Sequence, residues 1–353
     1  MTLFAGATLS CSDPIGVDYH GAHVLVAADD GLTLCGGTLT HMDAFVAQLS
    51  DRFGLVAPTG GEKILFQWVS SDAYAAATSC PDASFGCFEG DRIVSMWAPL
   101  NHELVHSLAF AYGRPPTFFE EGLAESFQGI GVVYSDFPIE YDIWSTIDAQ
   151  SGTFVDRTAA AAFVTTLIAR YGVKVFLDLY SALSANSTRE EIDQGFRSVL
   201  GTSLAESVAE FEAANPPFID IQDFDAKLME CSAPELTWDG FHLTEFRALD
   251  CTQEDAIGPY NGEVLQVLHT ITVEKRGDFE INVIAERPEG AIGARNAFSL
   301  LPCGASGAET RVYAGERTRL SLSPGRYSLR LLGSSTTVTE IGFTLTRIDS
   351  IKP

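Results

Sequence analysis

The spacing of apolar residues changes character once along the chain. Up to about residue 215 it is mostly helical, and past about residue 222 it alternates. In the first part, residues 20–28 and 63–69 read as strands, and Arg92 to Trp97 as a third. Thr40 or His41 opens a helix that carries Phe45, Val46 and Leu49 on one face and ends before Gly54. Ser71 to Thr78 reads as a short helix. Leu104, Val105, Leu108 and Ala109 mark a buried helix, broken by Gly113-Arg114-Pro115-Pro116, after which another helix starts. Residues 128–157 are loop-rich, and helices follow over 159–172, 173–183, 189–200 and 204–214. Asn215-Pro216-Pro217 closes this part. Beyond it Phe279-Glu280-Ile281-Asn282-Val283-Ile284 and Tyr327-Ser328-Leu329-Arg330-Leu331 alternate, with turns such as Ser323-Pro324-Gly325 between. Six to eight short strands of this kind predict a β-sandwich. The expected organisation is a leader or tether over 1–19, an α+β domain over 20–218 with a small mixed sheet plus helices, and an all-β sandwich domain over 222–353.

Composition adds room and setting. A chain of 353 residues, 46% hydrophobic, is long enough for two cores. A net charge of −25 argues against a nucleic-acid partner, whose phosphates it would repel. The seven cysteines, Cys11, Cys35, Cys80, Cys87, Cys231, Cys251 and Cys303, include no CxxC pair. Cys80 and Cys87 flank a short loop and read as a local disulfide, and Cys231, Cys251 and Cys303 are expected to supply another. An oxidising compartment follows: secreted, periplasmic or cell-surface. Cys11 follows Leu-Phe-Ala-Gly-Ala-Thr-Leu-Ser, which resembles the end of a bacterial lipoprotein signal and makes Cys11 a candidate lipid anchor, although residues 1–10 hold no Lys or Arg. That assignment leaves six cysteines for three bridges. No run of eighteen apolar residues predicts a membrane span.

The candidate chemistry lies in residues 101–126. His102-Glu103-Leu104-Val105-His106 is an HExxH motif: two imidazoles four residues apart share a helix face and can reach one cation, with Glu103 beside them to hold a water. The next helix carries Glu120, Glu121 and Glu125 on its first turns. Acidic residues there are also what a helix dipole favours without any ligand role. His20 and His23, three apart on a strand, point to opposite faces and read as structural or exposed.

HELVH followed by EEGLAE resembles the gluzincin metallopeptidases, the thermolysin-like and aminopeptidase-like clan, over about residues 60–215. The resemblance implies a zincin-like domain with one Zn²⁺ per chain held by His102, His106 and Glu121. Glu125 would orient His102 from behind, and by spacing it is the rival third ligand. The implied reaction is hydrolysis of a protein or peptide substrate, with Glu103 as general base. Members of the clan often place a tyrosine before the helix at 159–172 as oxyanion donor. Here those positions hold Arg157 and Thr158, so the donor stays open among Arg157, Tyr134, Tyr141 and Tyr171, the last of which also reads as a core residue. Val94-Ser95-Met96 reads either as an edge strand that a substrate backbone could join or as an ordinary central strand. LSLSPGRYSLRL resembles β-sandwich modules appended to bacterial secreted peptidases. The alternative class is a weakly active or inactive zincin-fold surface protein that serves in binding or adhesion.

Overall fold

Parallel strands buried on both faces need apolar residues at nearly every position, and the first half of the chain supplies them. The structure, a computed structural model, describes residues 16–79, 85–128, 142–148, 156–214, 230–260, 262–285, 296–303 and 310–348. Tyr19–His20 (β1), Val24–Ala28 (β2), Ile64–Trp68 (β3), Gly86–Phe88 (β4) and Arg92–Ser95 (β5) form one sheet in the order β1-β2-β3-β5-β4. The inner strands β2, β3 and β5 are parallel, and β1 and β4 run antiparallel on the two flanks. The edge reading of Val94-Ser95-Met96 is therefore corrected. Arg92–Ser95 lies between β3 and β4, and the flank belongs to Gly86–Phe88, a strand of three residues too short to show an alternation.

The helices are Thr38–Phe53 (α1), Ser71–Ala77 (α2), Asn101–Ala109 (α3), Thr117–Phe127 (α4), Ile143–Asp148 (α5), Arg157–Tyr171 (α6), Val173–Ala182 (α7), Arg189–Gly195 (α8) and Leu204–Ala214 (α9). α1 begins at Thr38, earlier than its apolar pattern, because Thr38 is anchored from outside: its hydroxyl donates to the Gly258 carbonyl at 2.6 Å and accepts from the Gly258 N–H at 2.9 Å. Gly54, at φ 75°, ends it in the left-handed conformation usual at helix C-termini. α6 begins at Arg157 because the Asp156 carboxylate caps it, accepting from the N–H groups of Thr158 and Ala159. One apolar cluster joins the strands to α1, α3, α4, α6 and α7, with Phe45, Phe66, Leu104, Phe118, Phe163 and Phe176 fully buried in it.

The second half is β-rich. His242–Leu249 (β6), Ile257–Tyr260 (β7), Val264–Val273 (β8), Gly277–Ala285 (β9), Ala297–Pro302 (β10), Thr310–Tyr313 (β11), Arg317–Leu322 (β12), Gly325–Ser334 (β13) and Thr339–Arg347 (β14) form two sheets, ordered β11-β10-β13-β8-β7 and β12-β9-β14-β6. All their pairings are antiparallel. Phe279, Ile281 and Val283 of one sheet and Phe298, Leu329 and Leu331 of the other share a single core. The strands exceed the six to eight expected because β7 and β11, four residues each, are too short to alternate visibly.

One disulfide among the described residues connects these parts and another lies within the second. Cys231 pairs with Cys303, both from the C-terminal group, while Cys251 crosses 216 residues to Cys35. Around that bridge the Gly36 N–H donates to the Cys251 carbonyl at 2.8 Å and the Gly37 N–H to the Ala256 carbonyl at 2.8 Å, so the start of α1 is bound to the β-rich half. Cys87 is disulfide-bonded; Cys11 and Cys80 lie outside the described residues. Among the described residues no single helix is long and apolar enough to cross a membrane.

Candidate metal centre

His102, Glu103 and His106 stand on α3, and Glu121 and Glu125 on α4. The break at Gly113, at φ 102°, and the Pro115-Pro116 pair turn the chain so that α4 returns against α3. Each helix then contributes two side chains one turn apart to the gap between them. His102 Nε2 lies 3.0 Å from His106 Nε2 and 3.3 Å from Glu121 Oε2, and His106 Nε2 lies 3.7 Å from Glu121 Oε1. Behind His102, its Nδ1 is 3.5 Å from Glu125 Oε1, and Gln128 donates to the other Glu125 oxygen. Relative exposures of 4% for His102, 5% for Glu103 and 7% for Glu125 show that this is an interior cluster of ionisable groups. Such clusters are costly unless they are paired or hold a cation.

The donor atoms fit a small cation. With metal–ligand bonds of about 2.0–2.1 Å, the edges of a tetrahedron of donors are about 3.3 Å, and the three separations above bracket that length. Glu121 Oε2, on the side of the two Nε2 atoms, is buried without a well-directed hydrogen bond, as a donor atom reserved for another partner would be. Among the described residues, two overlapping groups have donor atoms close enough together to hold a metal ion: His102 with Glu103 and His106, and His102 with Glu121 and Glu125. Imidazole nitrogen and carboxylate oxygen suit zinc and several other first-row divalent ions.

Electrostatics distribute protons unevenly over the cluster. For His102, burial alone would lower the pKa, but the hydrogen bond and charge of Glu121, with Glu103 and Glu125 beyond, raise it to about 9. His106 goes the other way, lowered to about 3 by burial and by the charge of His102. Burial also works against ionisation of Glu121, yet His102, His106 and Arg157 hold it well below the carboxylate range. Glu103 is pushed up to about 7, mainly by burial, even though the charge of His102 and the Phe88 backbone N–H oppose it. A carboxyl poised near neutrality can both take and return a proton.

The remaining candidates fall into place differently. Arg157, the first residue of α6, puts Nε 3.0 Å from Glu121 Oε2 and Nη1 3.9 Å from Glu125 Oε1, so it pairs with the carboxylates. Tyr171 is at the opposite end of α6, about 21 Å away along the helix axis, where the Arg170 guanidinium lies 5.1 Å from its ring centroid. Tyr134 and Tyr141 lie outside the described residues. Glu120 turns to Arg114, whose Nε is 3.3 Å from its Oε1. His20 is exposed, and His23 Nδ1 is 2.8 Å from the Pro58 carbonyl oxygen. Two participants had no sequence signal as site residues. Gly86 of β4 is packed so closely on Glu103 that a β-carbon would stand 3.1 Å from Glu103 Cγ. Tyr180 of α7, at helical spacing from Phe176 and so core-like in sequence, has its phenol pushed up by burial and by the charges of Glu120 and Glu121.

No family model matches the chain, and no curated protein matches it. Among solved structures, the pre-peptidase C-terminal domain of a collagenase from Bacillus anthracis is 14% identical, at a TM-score of 0.23 over 33% of this chain and 93% of that one. A family GH115 4-O-methyl-α-glucuronidase is 12% identical, at a TM-score of 0.20 over 69% of this chain and 38% of that one. Hydroxypropylphosphonic acid epoxidase from S. wedmorenis is 9% identical, at a TM-score of 0.13 over 52% of this chain and 96% of that one. Superpositions this loose carry no argument about fold or activity.

Proposed function

We propose that the chain is a zinc-dependent peptidase of the gluzincin type, with a zincin-like domain followed by a β-sandwich, working outside the cytoplasm. The observation that carries the reading is the convergence of His102 Nε2, His106 Nε2 and the Glu121 carboxylate at 3.0 to 3.7 Å, with Glu103 buried beside them. His102, His106 and Glu121 would hold the ion. Bound there, zinc supplies Lewis acidity to a substrate carbonyl and to the attacking water. Glu103, pushed up to about 7, takes the proton from that water and returns it to the leaving amine. Glu125, whose Oε1 is 3.5 Å from His102 Nδ1, would orient that ring, and it is itself held by Gln128. An extended peptide would lie along β4, the flank strand whose Phe88 N–H reaches Glu103. The disulfides support the extracytoplasmic setting.

The test is metal content together with digestion of a peptide library. About one zinc per chain is expected, with cleavage lost on chelation and restored by zinc. Glu103→Gln should keep the metal and lose cleavage. One observation favours the second reading, a metal-binding surface protein without turnover: Arg157 replaces the clan's tyrosine and is engaged by Glu121 and Glu125. Stoichiometric zinc without cleavage of any library peptide would select that reading.

A further inference from the structure

Arg157 brings a positive charge to a site that itself reads as a cation site, and this calls for a physical account. Its Nε is 3.0 Å from Glu121 Oε2 and its Nη1 3.9 Å from Glu125 Oε1, so it addresses both carboxylates of α4. Its base is fixed. It is the first residue of α6, capped by Asp156, and α6 is packed against α4 without room for a β-carbon at Gly122. Its side chain is 47% exposed, so the guanidinium closes the carboxylate pair from the solvent side. The carboxylate groups of Glu121 and Glu125 share one face of the site, and the guanidinium brings a positive charge that offsets theirs. A neutral interior cluster is less costly to desolvate than a charged one.

We propose that Arg157 is a resident counter-charge that sets how tightly the His102–His106–Glu121 site holds its metal ion. The inference rests on the metal reading above. The guanidinium repels the incoming cation and draws electron density from the Glu121 carboxylate. The ion is then held less tightly than the same three ligands alone would hold it, and it stays more electrophilic. Arg157 is thus a positioning residue that acts through Glu121. The rival account, in which Arg157 merely holds Glu121 in place, predicts the opposite sign on mutation, since losing the guanidinium would then loosen the ligand and weaken binding.

The experiment measures zinc dissociation constants of the full chain by competition with a chromophoric chelator, for the unaltered protein, Arg157→Gln and Arg157→Lys. The expected result is about tenfold tighter zinc for Arg157→Gln, from Coulomb interaction at a half-exposed site. Arg157→Lys, which keeps the charge, should stay within about twofold of the unaltered chain. The tightening should shrink in about 1 M salt, where the Debye length falls to about 3 Å. Zinc binding in Arg157→Gln equal to or weaker than in the unaltered chain, while that chain binds zinc, overturns this inference and leaves the metal reading standing. No zinc uptake by the unaltered chain overturns both.

Discussion

Gly122 of α4 meets Ala160 of α6 so closely that a β-carbon on Gly122 would stand 2.7 Å from the Ala160 carbonyl oxygen and 2.5 Å from Val164 Cγ2. One turn on, the Ser126 hydroxyl donates to the Gly122 carbonyl at 2.7 Å and lies 2.7 Å from Thr165 Oγ1. This seam of small residues fixes the rotation of α4 about its axis, and with it the direction of Glu121 and Glu125. Gly122→Ala would gain up to about 1 kcal/mol in helix propensity. The overlap with backbone outweighs that gain. A net destabilisation of about 1–3 kcal/mol is expected in denaturant unfolding, with weaker zinc binding in the same variant. A Gly122→Ala chain more stable than its parent would show that the seam does not hold α4 in place.

Gly86 does for the base what Gly122 does for the ligand. A β-carbon there would stand 3.1 Å from Glu103 Cγ and 3.2 Å from Ser95 Oγ, and would overlap Leu100 Cδ2. Gly86→Ala therefore crowds Glu103 and the Leu100 side chain, and the atoms nearest its β-carbon belong to none of His102, His106 and Glu121. If the peptidase reading holds, kcat should fall severalfold, since Glu103 must give way by a fraction of the roughly 1 Å misplacement that costs about 100-fold, with zinc content unchanged. Steady-state kinetics and metal analysis on one preparation check this; loss of zinc along with activity would mean that β4 supports the ligands as well.

The His/Glu cluster was legible because helical neighbours are sequence neighbours. His102 and His106 are four apart, as are Glu121 and Glu125, and the Gly113-Arg114-Pro115-Pro116 break between two apolar runs announces that the helices fold back. What sequence left hidden is non-local. The place of β4 outside β5 rests on three residues that pair antiparallel with a strand following them, and no pattern of three residues encodes that. The partner of Cys251 is 216 residues away, fixed by contacts of Gly36 and Gly37 that carry no periodicity. Arg157 was visible as the residue standing where a tyrosine is common in the resembled clan. That its guanidinium turns to Glu121 depends on the packing of α6 on α4.

His41 predicts a pH dependence of stability that does not involve the His102–Glu121 cluster. It is buried on α1 with Nε2 unpartnered, and burial lowers its pKa from 6.5 to about 4. Above pH 6.5 neither the folded nor the unfolded ring is charged, and its contribution is complete. As pH falls from 6.5 towards 4 the unfolded chain takes up a proton that the folded chain refuses, so stability is lost over that window. By pH 5 the loss from this one group is on the order of 2 kcal/mol. Denaturant unfolding at pH 7 and pH 5 should show that much less acid sensitivity in His41→Leu than in the unaltered chain. Equal sensitivity in the two would place the proton elsewhere.

Zinc uptake should displace one proton, and it should come from His102. In the metal-free chain its pKa is raised to about 9 despite burial, because Glu121, Glu103 and Glu125 surround it. Below pH 9 the ring is charged and its Nε2 lone pair is taken. His106, lowered to about 3, is already neutral, and Glu121, held well below the carboxylate range, is already ionised. Neither contributes a proton at pH 6. Glu103, pushed up to about 7, would contribute one, so the measurement belongs in Glu103→Gln. Calorimetry at pH 6 in buffers of different ionisation enthalpy should give about one proton released per zinc, with Glu121 and Glu125 still raising the His102 pKa, and apparent affinity should rise about tenfold per pH unit while that ring stays charged. Release of two protons would mean that His106 is also charged before the ion binds. Release of none would mean that His102 is neutral and that the carboxylates around it do not hold its proton.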